Sequence, residues 1–141
     1  MRTSQNGINL IKQFESLQLE AYRCPAGIWT IGYGHTAGVR RGDRIDEMKA
    51  EQLLADDLRK FEDVVNKECP HVNQNQFDAL VSFVFNVGSG NFLKSTLLKC
   101  VKANPLNLNI RYEFSRWDKA NGTQLSGLIR RRKAEADLYF S

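Results

Sequence analysis

The sequence predicts an α+β fold that is mostly helical, with a small N-terminal antiparallel β lobe joined by a long helix to a helical C-terminal lobe. Three observations carry this. Helical periodicity is lost between residues 20 and 45, where Gly27, Gly32, Gly34, Gly38 and Gly42 cut the chain into short pieces. An apolar stripe of Leu54, Leu58, Phe61 and Val65 then continues until Pro70. Beyond Pro70, apolar residues recur at helical spacing in one segment after another.

The elements follow in order. Leu10, Phe14 and Leu17 stand at i, i+4 and i+7 after Asn6, a good N-cap type, so a short amphipathic helix is expected over 7–17. It carries Glu15 near its end and packs near the cleft between the lobes. Residues 18–45 form the β lobe, where Trp29, Thr30 and Ile31 alternate between flanking glycines. Residues 46–69 form the connecting helix, which starts near Asp46 and spans roughly 30 Å at the usual rise per residue. Residues 70–141 form the helical lobe. Phe77, Leu80, Val81, Val84 and Val87 mark an apolar helix ended by Gly88, and Leu97, Leu98 and Val101 mark another before Pro105. Ile110, Phe114 and Trp117 mark a third ending near Gly122, and a final helix covers 125–139. With no repeat, low-complexity tract or linker, residues 1–141 read as one domain.

Composition bounds the function. In 141 residues, 42% hydrophobic and 26% charged residues are enough to build a core and exclude a disordered chain. A net charge of +4 favours encounter with an anionic polymer but does not choose among nucleic acid, membrane surface and cell-wall glycan. A nucleic-acid partner would rest on that charge alone and is not expected. Cys24, Cys69 and Cys100 lack zinc-type spacing, and their odd number forbids complete internal pairing, so reduced thiols and no metal are expected. The opening "MRTSQNGINLIKQ" has no charged segment followed by an apolar run, so neither a signal peptide nor stable membrane insertion is expected.

The chemistry concentrates in "FESLQLEAYRCPAGIWTIGYGHT", residues 14–36. Glu15 is followed after eight residues by Cys24, and Cys24 after five by Thr30, which opens "TIGYGHT". Further on stand "LVSFVFNVGSGNFLKSTLLK" (80–99), "FSRWDKANG" (114–122) and "LSGLIRRRKAEADL" (125–138). In these ordered motifs, which cover nearly the whole chain, the sequence resembles the phage-type lysozymes, the endolysins of glycoside hydrolase family 24. The resemblance implies a lysozyme-like fold and a muramidase that hydrolyses the β-1,4 bond between N-acetylmuramic acid and N-acetylglucosamine in peptidoglycan, for host cell lysis and phage release. It aligns Glu15 with the general acid and Thr30 with a threonine near the attacking water. Cys24 takes a second catalytic position that many members fill with Asp and some with Cys. Phe85, Ser95 and Thr36 match positions that contact saccharide. No cofactor is implied. The resemblance further implies a monomer that accumulates in the bacterial cytoplasm and reaches periplasmic peptidoglycan through a holin lesion.

The residue types suit that chemistry. A departing sugar oxygen needs a proton, which a partly desolvated Glu15 can retain near neutral pH. Cys24 can serve as a thiolate, favoured by a basic neighbour such as Arg23. It would either orient water with Thr30, giving inversion, or attack C1 itself, giving a thioglycosyl intermediate and retention. His35 reads as a structural histidine tying the β lobe to a neighbouring acid rather than as a base. Arg130, Arg131, Arg132 and Lys133 read either as a basic face for envelope polymers or as a solvated helix face with local ion pairs that include Glu135. Two other classes stay open: a noncatalytic peptidoglycan-binding protein, and a peptidase or amidase built on Cys24 and His35.

Overall fold

A computed structural model describes residues 1–141. Helix α1 (Gln5–Phe14) leads into a hairpin of β1 (Gln18–Arg23) and β2 (Trp29–Gly32), and α2 (Glu47–Glu68) then crosses to the helical lobe. That lobe contains α3 (Gln74–Val87), α4 (Ser89–Lys94), α5 (Thr96–Ala103), α6 (Asn109–Ser115), a minimal hairpin of β3 (Lys119–Ala120) and β4 (Thr123–Gln124), and α7 (Ser126–Tyr139).

Helix α1 is shorter than the periodicity predicts. It is capped at Ser4 rather than Asn6, and Glu15 already has an extended backbone (φ −99°, ψ 130°), which leaves Leu17 beyond the helix. The chain must unwind there to enter β1. At the start of α1 the Asp78 carboxylate of α3 accepts from the Ser4 backbone N–H at 3.0 Å and from the Ser4 hydroxyl. A negative group at this end satisfies an otherwise orphan donor and complements the helix dipole. Gly7 is required by the same contact, because a Cβ there would lie 2.6 Å from Thr3 Cγ2 and 2.8 Å from Asp78. Gly7→Ala is therefore expected to destabilise the fold by about 1–3 kcal/mol despite its better helix propensity, measurable by denaturant melts.

Strands β1 and β2 pair antiparallel, with Tyr22 opposite Thr30 and Arg23 opposite Trp29, and the register slips between Gln18 and Tyr22. A slip of this kind bends and twists the strand. Residues 43–45 extend the lobe through Ala21 N–H to Asp43 O and Ile45 N–H to Leu19 O, both 2.9 Å. Strand β1 is largely exposed and β2 largely buried, so the hairpin presents one face to α2.

Asp46 caps α2 by accepting from the Lys49 N–H at 2.7 Å. Ala50, Leu54, Leu58 and Val65 form its buried stripe, one turn apart along most of its length. In the helical lobe, Asn73 and Gln76 form a capping box that starts α3, whose residues 76–84 are all buried. Gly88 ends it at φ +91°, a conformation that favours glycine. Around α3 the Phe83 ring meets Phe92, Phe114 and Trp117 edge-on at 5.6–6.2 Å. Such pairs add directional attraction to the burial of area.

The third predicted helix of this lobe departs from expectation. It stops at Ser115, and residues 119–124 form a hairpin around Asn121 (φ +52°) and Gly122 (φ +79°). Positive φ at both central residues is the two-residue turn that Asn-Gly favours. All three cysteines are free, and no helix is long and apolar enough to cross a membrane.

Candidate active site

Glu15 stands where α1 unwinds, with its side chain 27% exposed. It lines a 370 Å³ hollow together with Gly34, Thr36 and Ala37 of the β lobe, Asp57, Lys60 and Phe61 of α2, and Phe85 and Asn86 of α3. Glu15 and Asn86 are shared with a second hollow of 560 Å³ that reaches Ser126, Arg130 and Arg131 on α7. A cleft between the lobes thus runs over two carboxyl groups, Glu15 and an Asp57 that is paired with His35.

Two forces act on that carboxyl. Desolvation raises its proton affinity above the ordinary range, and the Arg131 guanidinium, with Nη1 3.5 Å from Oε1, works against the rise. The net direction is upward, which favours an acid that holds its proton.

Cys24 sits at the β1–β2 turn, where its backbone N–H donates to Ile28 O at 3.0 Å and Gly27 N–H donates to Cys24 O at 2.8 Å. Donors to its sulfur lower the thiol pKa: the Ile28 N–H contributes most, followed by the Ala26 N–H and the Thr30 hydroxyl. Thr30 is buried on β2, and its hydroxyl lies 3.0 Å from Ile28 O. With a single proton, this hydroxyl serves either the carbonyl or the thiolate.

Of the residues singled out from sequence, Glu15, Thr36 and Phe85 line one hollow, while Cys24 and Thr30 lie in the hairpin outside its lining. Phe85 is braced edge-on by Phe61 at 5.6 Å. Ser95 is spent on structure: its hydroxyl donates to Phe92 O at 2.7 Å and accepts from the Leu98 N–H at 3.0 Å, capping α5. It borders a separate 270 Å³ hollow with Lys94, Thr96, Arg116 and Trp117. Trp117 joins that hollow to one containing Asn86, so a track of depressions leads from Ser95 back toward Glu15.

His35 bridges the β lobe to α2. Its Nδ1 lies 2.8 Å from Asp57 Oδ2 and its Nε2 lies 2.9 Å from Ala37 O. Both nitrogens are engaged, which leaves no free base for Cys24 and removes the peptidase reading its second residue. His35→Asn is expected to lower stability by about 1–2 kcal/mol in thermal melts, while glycan cleavage per folded molecule is kept.

Sequence reading missed Arg131, Asn86 and Asp57. Arg131 belonged to a run taken as surface, yet Arg131, Arg132 and Glu135 are buried and only Arg130 and Lys133 are exposed. The local ion pairs with Glu135 are present, but Arg131 and Arg132 make them inside the protein rather than on a solvated or basic face. Another hollow, 240 Å³ and lined by Glu68, Cys69, His71 and Lys102 among others, shares no residue with the cleft. Burial pushes the Cys69 thiol up to about 11, which makes it a poor nucleophile.

A small antiparallel β lobe, a long crossing helix, a helical lobe and a half-buried glutamate between them define a lysozyme-like glycoside hydrolase. Comparison with known proteins agrees. The family model described as phage lysozyme matches residues 12–135. An endolysin of Acyrthosiphon pisum secondary endosymbiont phage 1 is 43% identical over 146 residues, covering 100% of this chain and 99% of that protein. An endolysin of Bacillus phage PZA is 46% identical over 145 residues, but this chain spans only 56% of its length. Among solved structures, the muramidase domain of SpmX from Asticaccaulis excentricus superposes with a TM-score of 0.91 at 39% identity, covering 99% of this chain and 98% of that one. The chain belongs to the phage lysozyme family. It is a muramidase of the endolysin kind, serving host cell lysis.

Proposed function

We propose that residues 1–141 work as a single, monomeric lysozyme domain in which Glu15 is the general acid and Cys24 with Thr30 orients the attacking water. The observation that carries this reading is Glu15 itself, half-buried in the cleft with its proton affinity raised by desolvation. Glu15 gives its proton to the glycosidic oxygen as the C1–O bond breaks. A water held on the opposite face of the sugar attacks C1 and passes a proton to the Cys24 thiolate, whose charge the Ile28 and Ala26 N–H groups support. One direct displacement by water inverts the anomeric carbon. Thr36 and Phe85, beside Glu15, contact saccharide, and the braced Phe85 ring offers an apolar face to a sugar. Ser95 contributes a wall of the track beyond Trp117 rather than a free hydroxyl.

In the cell, the enzyme accumulates in the host cytoplasm, and a holin-type membrane lesion gives it access to periplasmic peptidoglycan. Expression with and without a co-expressed holin tests this, because lysis without any holin would require another export route. Purified peptidoglycan should yield new reducing ends and no new amine groups. Amine release abolished by thiol alkylation would instead identify a peptidase.

A further inference from the structure

Behind Glu15 lies a buried charge cluster that the proposed mechanism does not use. Glu135 on α7 is fully buried, and its Oε2 accepts from the Ser82 hydroxyl of α3 at 2.6 Å, from Arg132 Nη2 at 3.1 Å and from Arg131 Nε at 3.3 Å. Arg132 Nε is 2.8 Å from Oε1, a charge contact too poorly aligned for a hydrogen bond. The Arg132 guanidinium also stands 5.0 Å over the Phe83 ring. Arg131, only 4% exposed, holds Glu135 with Nε, the Ser82 backbone and side-chain oxygens with Nη2 at 3.4 Å, and Glu15 with Nη1. One guanidinium therefore touches both carboxyl groups.

Apart from Arg130, the other charges around this cluster have partners of their own. From α3, Asp78 is occupied by Ser4 and Gln74. From α6, Glu113 pairs with Arg116, and Arg111 pairs with Asp137 of α7. From α1, Lys12 pairs with Glu51. On the α2 side of the cleft, Asp57 pairs with His35, and Lys60 stands over the Phe61 ring. Arg130, on α7, lines the hollow beyond Glu15.

The count of charges then matters. Two buried guanidiniums face one committed carboxylate, Glu135, and one of them, Arg131, also reaches Glu15, a carboxyl that must hold a proton to act. Burial pushes Glu135 upward, but its neighbours Arg131, Arg132 and Ser82 are all donors, and the ionised carboxylate is the form that satisfies them. The negative charge of Glu135 therefore offsets part of the positive charge that Arg131 presents to Glu15.

We propose that Glu135 is a positioning residue of the reaction, which divides the Arg131 guanidinium between itself and Glu15 and so keeps Glu15 able to hold its proton. Arg132 acts in the opposite sense by occupying part of Glu135. This rests on Glu15 being the general acid.

The test is signed. In Glu135→Gln, the carboxylate that offsets Arg131 is gone, and Glu15 is the only anion left on that guanidinium. The titration midpoint of Glu15, read from its carboxyl carbon by NMR, should fall by about one unit, the usual size for an opposite charge at this range. Activity at neutral pH should fall about tenfold with KM unchanged, because one unit is a tenfold change in the protonated fraction. In Arg132→Met, an apolar replacement of similar length, Glu135 is free to take Arg131 fully, and both quantities should rise. A merely structural role would lower activity in both variants without moving the midpoint in opposite directions. Circular dichroism checks folding, and Arg132→Met decides alone if the glutamine variant does not fold. An unmoved Glu15 midpoint, or a downward shift in Arg132→Met, overturns the inference. Midpoints that move as stated while turnover does not follow would leave the charge sharing intact and overturn instead the role of Glu15 as acid.

Discussion

Glu15→Gln is expected to lower turnover by about 10² to 10⁴-fold, the usual worth of a positioned general acid, with little change in KM. The amide keeps the shape of the side chain but cannot give a proton to the departing oxygen. The same substitution should cost no stability at neutral pH. Because burial raises the proton affinity of Glu15 in the folded state, its favourable contribution is complete below the ordinary carboxyl range and is lost as pH rises through the raised value. At pH 7 the ionised side chain is held in a partly desolvated cleft, and Arg131 still has Glu135 and Ser82 when Glu15 is gone. Thermal melts of the glutamine variant should therefore match or exceed wild type at pH 7, with the comparison turning toward wild type as pH falls to about 5. A variant that kept wild-type turnover would remove Glu15 from the mechanism.

Position 24 gives the second large effect. An ordinary thiol titrates about four units above an ordinary carboxyl. Burial of Glu15 and the donors around the Cys24 sulfur narrow that gap from both sides. While a gap persists, protonated Glu15 with ionised Cys24 is a minority form at any pH, and the alkaline limb of the kcat/KM profile belongs to the thiol. Cys24→Asp replaces the thiol by a group that ionises below Glu15. Activity should be retained or increased, and the alkaline limb should move down to the range of Glu15. Cys24→Ser lacks an accessible anion and should lose at least about 10²-fold. Serine activity equal to wild type, or alkaline limbs that coincide in wild type and Cys24→Asp, would show that the sulfur carries no charge in the reaction.

The parts of the site that were legible are those the chain builds locally. Of the candidate residues, Glu15 stands at the end of α1, and Cys24 and Thr30 belong to one hairpin, so the places of all three in the fold follow from local sequence. Helix α2 was legible because a polar cap, a one-turn apolar stripe and a proline agree over its whole length. Arg131 was not legible. It meets Glu15 only through the packing of α7 on α3 and α1, and a run of arginines reads as surface because buried arginine is rare. The i, i+4 spacing of Arg131 and Glu135 was visible, but it is shared by any exposed ion pair. Asn121-Gly122 was read as a helix stop although the same dipeptide is a strong hairpin signal. What decided there was a two-residue turn requiring positive φ at both positions, which periodicity does not register. Helix α1 ends early for a related reason, since Leu17 keeps helical spacing while the chain around it has already left the helix to begin β1.

The most direct test of the whole account is digestion of purified peptidoglycan in ¹⁸O-labelled water, with mass analysis of the products and detection of the first-formed anomer before mutarotation. Direct attack by an oriented water on a β-1,4 bond predicts label at C1 of N-acetylmuramic acid and the α anomer first. Label placed at a peptide carboxyl group, or the β anomer released first, would contradict it.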